Sequence, residues 1–218
     1  INCVTPPTEE HGFIDGGGAG VLADTCPFFT MTSCWFLGNT ATKQGGGIGM
    51  VLSDNATVGQ CVFQDNHATN IGTGGGISIA YSTDVVIEDC WFTENTVTGG
   101  GGALKAGGTG GSMVTIRNCR FNRNEGHWAG AMYLQGIDDQ RGPGVVAIDN
   151  CHFIGNRSTR VYTGSGAITI GGWMRGVATQ SSFVHNRAYT HGAIGVFGSA
   201  LLTDECLMAG NRGSDGSD

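Results

Sequence analysis

Acid–base and anion chemistry need carboxylates and cationic side chains gathered in one place. The densest gathering in this 218-residue chain is a pair of insertions. Residues 135–144 bring Asp138, Asp139 and Arg141, and residues 157–165 bring Arg157 and Arg160. Insertions that decorate a regular scaffold commonly carry its specificity, so these five residues form a candidate ligand or partner surface. The competing reading is an ordinary solvated loop. Asp84 with Glu88-Asp89, Asp149, and Asp204-Glu205 fall in different repeats, at or near expected bends, where corner polarity accounts for them. A polysaccharide lyase or hydrolase would need a carboxylate pair, or a carboxylate beside Arg or Lys, on one outer face. No catalytic residue is assigned, and a non-enzyme is expected.

The six histidines, His11, His67, His127, His152, His185 and His191, show no metal-ligand spacing, so no metal is expected. Residues 16–24 lack the Asp placement of a calcium-binding nonapeptide, and no Gly cluster is followed by the Gly-Lys-Ser/Thr of a phosphate loop. No cofactor is expected. Asn55 and Asn156 each head an Asn-x-Ser/Thr glycosylation signal.

The elements that must position these residues come from a repeat. Its skeleton is an aliphatic residue, two polar residues, Cys, any residue, Phe, two residues and Asn, as in Ile116-Arg117-Asn118-Cys119-Arg120-Phe121-Asn122-Arg123-Asn124. Copies centre on Phe36, Phe63, Phe92, Phe121 and Phe153, with degenerate ones at Phe183 and Met208. Cys and Phe, two apart, face one side of a strand. The aliphatic residue, three before the Cys, cannot share that side unless the chain bends between them. The bend falls on Thr32-Ser33, Glu88-Asp89, Arg117-Asn118 and Asp149-Asn150, rich in residues that tolerate left-handed backbone.

Between successive skeletons lies a Gly-rich element ending in an aliphatic residue, such as Gly74-Gly75-Gly76-Ile77 or Ser165-Gly166-Ala167-Ile168. Small residues there let stacked backbones approach closely. Strand-like alternation follows, as in Ile168-Thr169-Ile170, and no helical apolar stripe appears. The pattern predicts an all-β, right-handed, single-stranded parallel β-helix of roughly seven coils, about 29 residues each, with three strands per coil. Residues 1–218 read as one such domain, possibly a segment of a longer chain. Between Cys and Phe stands an outward residue, which is Trp35 and Trp91 in two coils. These indoles are candidates for stacking on sugars or a partner, unless a neighbouring loop covers them.

Seven of the eight cysteines share one repeat position, and neighbours there have Cβ atoms too far apart for a relaxed bridge. Mostly unpaired, buried thiols are therefore expected. A net charge of -7 argues against nucleic acid and anionic membranes, and no apolar run is long enough to span a bilayer.

The alternation of Gly-Gly-Ala-Ile-like and Phe-x-x-Asn tetrapeptides from Gly17 to Asn211 resembles the repeats of chlamydial polymorphic outer membrane proteins. The resemblance implies a surface-displayed β-helical passenger with an adhesive role. The expected function is thus a non-catalytic structural or adhesive module, extracellular or at the cell surface. Its expected partners are copies of itself or adjoining β-helical segments, end to end, and surface glycans or receptor proteins. The alternative is a carbohydrate-active enzyme or carbohydrate-binding protein of the same fold.

Overall fold

The computed structural model describes residues 20–69, 73–108, 113–136 and 143–214. All 28 strands in it fall into four parallel sheets of seven. Each sheet takes one strand from each passage of the chain, so the molecule is a parallel β-helix of seven rungs with four faces. The first face runs from Val21–Asp24 to Ile194–Phe197, the second from Thr30–Thr32 to Ala200–Asp204. The third runs from Trp35–Leu37 to Leu207–Ala209, and the fourth from Thr40–Ala41 to Arg212–Gly213. The fourth face, two residues wide, is a correction to the three strands expected; it follows the skeleton Asn directly.

Two columns of left-handed residues make the corners. The residue before each repeat Cys, or its Ser replacement, has φ of 47–55° at Ser33, Gln60, Asp89, Asn118, Asn150, Gln180 and Glu205. This is the bend read from the sequence. A second column stands just before each Asn, at Gly38, Asp65, Glu94, Arg123, Gly155, His185 and Gly210. It turns the chain from the third face to the fourth.

Side chains at the corners satisfy the backbone that turning exposes. Each Asn amide oxygen accepts from the backbone N–H and the side-chain amide of the preceding rung's Asn. Each Asn amide nitrogen also donates to the carbonyl of the preceding rung's Phe, for instance Asn124 to Phe92 at 2.9 Å. Every internal member of the stack is buried and fully bonded. Cys thiols donate to the carbonyl two residues back, as Cys119 does to Arg117 at 3.2 Å. Ser181 does the same to Thr179 at 2.7 Å, which explains why a hydroxyl can replace the thiol.

The core lies inside the four faces. Phe36, Phe63, Phe92, Phe121, Phe153 and Phe183 stack with centroids 4.7–4.8 Å apart and rings within 5° of parallel. All but Phe36 are completely buried. The middle glycine of the Gly-rich corner (Gly46, Gly75, Gly102, Gly130, Gly166, Gly192) has negative φ, so conformational freedom is not its reason. A Cβ there would meet backbone; at Gly75 it would strike the carbonyls of Gly102 and Thr96. Close approach of chain to chain selects glycine.

Cys34, Cys61, Cys90, Cys119, Cys151 and Cys206 are free thiols, as expected. Cys26, which stands outside the repeat position, is disulfide-bonded. Hydrogen bonding to neighbouring thiols, then burial, pushes Cys61 and Cys119 above the ordinary thiol range.

Candidate functional site

The residue after each skeleton Asn points outward from the fourth face. In register these are Thr40, His67, Thr96, Glu125, Arg157, Arg187 and Arg212. The column begins neutral and ends as three exposed arginines on consecutive rungs. Arg157 also pairs with Glu125, 3.2 Å away. Arg187 and Arg212 have no carboxylate within ion-pair reach among the described residues.

Beyond Arg157 the chain makes the loop expected from its length, residues 159–164, which rides over the corner between the fourth and first faces. Ser158 anchors its start, donating to the His127 carbonyl at 2.7 Å. Arg160 lies over the Trp128 indole, 3.0 Å from the ring centroid. Tyr133, an outward residue of the first face, stacks on the same indole at 5.5 Å and 10°. Burial raises the Tyr133 phenol, partly offset by the Arg160 charge, and burial lowers the Arg160 guanidinium from its usual range.

Arg160 separates two cavities of about 320 Å³ each. One is basic, with Arg157, Arg187 and Tyr189 in its wall. The other is mainly apolar, walled by Trp128, Tyr133, Phe197 and Thr163. Among the described residues, the buried Thr163 hydroxyl has no hydrogen-bond partner.

Of the loop residues singled out by sequence, Arg157 and Arg160 come together here, while Asp138, Asp139 and Arg141 lie outside the described residues. Trp35 and Trp91 stand on a different face. They are 74% and 55% exposed, uncovered by any described loop, and Arg120 lies 5.5 Å from the Trp91 ring centre. Asn55 is exposed in a turn and available to a glycan. Asn156 is not: it is fully buried, and its amide nitrogen donates to Phe121 and Asn186, so a glycan there is incompatible with the fold.

The sequence reading missed Arg187, Arg212, Trp128, Tyr133 and Phe197. For the arginines a signal existed, since Asn156-Arg157, Asn186-Arg187 and Asn211-Arg212 repeat in phase. For Trp128 and Tyr133 there was none, because their meeting depends on how the corner folds. Among the described residues, no three His, Cys, Asp or Glu gather to hold a metal, and no helix is long and apolar enough to cross a membrane.

No curated protein and no solved structure matches the chain. The family model for a right-handed β-helix region matches residues 16–137, more than half of the sequence. That match agrees with the four parallel sheets and supplies the hand of the coil. With fold and family model in accord, this chain belongs to the right-handed β-helix family.

Proposed function

We propose that the chain is a non-catalytic structural and adhesive module of an extracellular or cell-surface protein, working within an extended β-helical assembly. The family holds both enzymes and non-enzymes, so membership alone leaves that choice open. The observation that carries the reading is the uniformity of the stack: from Phe36 to Phe183 and from Asn39 to Asn211 the same contacts join each rung to the next, a scaffold that any rung of the same pattern extends. Met208 continues the Phe column above Phe183. A rung from the same chain or from a second copy would extend the stack in the same way. The likeness of the repeats to chlamydial polymorphic outer membrane proteins supports the adhesive part of the reading.

Sedimentation velocity of the 218-residue chain over a wide concentration range tests the assembly. Concentration-dependent association that Met208→Lys weakens is the expected result. A monomer at every concentration, with rung-seven amides protected as well as those of rung four, would overturn it.

A further inference from the structure

An adhesive module needs a ligand class, and the two cavities beside Arg160 define one. The chain carries a net charge of -7 and only 11 Lys and Arg, yet Arg157, Arg160, Arg187 and Arg212 gather on neighbouring rungs. Parallel strands set successive arginines roughly 4.8 Å apart, close enough for their charges to repel. Glu125 answers Arg157, and the Trp128 ring answers Arg160. Arg187 and Arg212 hold exposed forks of donors that suit an oxyanion. Next to this charge, across Arg160, lies an apolar cavity of about 320 Å³ whose wall includes one buried, unpartnered hydroxyl, Thr163. Apolar wall, unpartnered hydroxyl and arginine row match the three parts of a charged sugar: ring face, ring hydroxyl and acid group.

We propose that the two cavities form one binding site for an acidic oligosaccharide. A sugar ring sits in the cavity walled by Trp128, Tyr133 and Phe197, one hydroxyl meets Thr163, and sulfate or carboxylate groups lie along Arg157, Arg187 and Arg212. The inference rests on the adhesive reading and adds its ligand. Single-stranded nucleic acid fits less well. The Trp128 and Tyr133 rings stack on each other instead of offering separate platforms for bases.

The test is calorimetric titration of the intact chain with four probes: a sulfated hexasaccharide, an unsulfated uronic-acid hexasaccharide, a neutral hexasaccharide, and an oligonucleotide of matched charge. Binding of at least one acidic sugar, weakened by salt and absent for the neutral one, is expected; comparing the two acids identifies the recognised group. The exposed double variant Arg187→Gln/Arg212→Gln should weaken binding by about tenfold or more, as loss of charge-assisted contacts does. Thr163→Val should weaken it without changing its salt dependence. Binding of neither acid, equal binding of the neutral sugar or the oligonucleotide, or unchanged affinity in the double variant would each overturn the proposal. Sedimentation of the same samples keeps the two ideas apart: association that persists while sugar binding fails rejects the ligand alone.

Discussion

At the scale of the residue, Phe121 is the sharpest probe of the interior. Its ring is completely buried and stacks at 4.8 Å on Phe92 and 4.7 Å on Phe153. Neighbouring rungs hold their backbones at fixed spacing through ladder hydrogen bonds, so the site cannot collapse around a smaller side chain. Phe121→Ala should therefore cost about 3–5 kcal/mol, near the upper part of the usual range for a large core truncation. Urea unfolding measures it, and a loss below about 1 kcal/mol would mean the stack is not what holds the rungs together. The Asn stack works by polarity. Asn124 receives two hydrogen bonds from Asn95 and gives two, to Phe92 and Asn156, so its amide has no unmet valence in the interior. The same saturation makes Asn156 a structural residue despite its glycosylation signal.

At the scale of the element, the corners show what the repeat revealed and what it concealed. The bend before Cys was legible because an aliphatic residue and a Cys three apart cannot face one side of a straight strand. The bend before Asn was not, because Phe and Asn are also three apart but the intervening residues range from Gly to Arg and Glu. Their common property is a left-handed backbone, φ 52–63°, which sequence marks clearly only where glycine occupies the position. Corners also govern the thiols. Cys61 and Cys119 are pushed above the ordinary value of 9.0 by hydrogen bonds to neighbouring thiols and by burial. Above that pH the unfolded chain releases their protons while the folded chain keeps them, so stability is intact below pH 9 and falls as pH rises. The slope is about 1.4 kcal/mol per pH unit for each such thiol. Burial lowers the Lys105 ammonium, and hydrogen bonding to Cys119 and Cys61 lowers the Cys90 thiol to about 4. Both work in the opposite direction, the Cys90 contribution rising with pH up to 9 and staying level above it. The check is therefore a difference between the native chain and Cys61→Ser/Cys119→Ser, since Ser181 shows that a hydroxyl serves the position. Parallel stability curves from pH 8 to 10 would refute this account of the thiols.

At the scale of the molecule, each rung touches only the rungs beside it. The four sheets run in the order of the rungs, and the largest strand contacts join strands one rung apart. Stability in such an array is a sum of rung terms and nearest-neighbour interfaces, so a weak interface in the middle separates the two ends. Phe121 lies in the fourth of seven rungs, and its removal strips the ring contact from the interfaces on both sides. The rungs of Phe36 and Phe63 keep their own stack, as do those of Phe153 and Phe183. Native-state hydrogen exchange on Phe121→Ala should consequently resolve two protection classes, one for each flank, with the lowest protection in the strands of the fourth rung. In the unaltered chain the central rungs should exchange slowest, because each has a neighbour above and below, and protection should decline toward rung seven. A uniform fall in protection across all rungs of the variant would instead show one cooperative unit, with long-range coupling that the contacts do not contain.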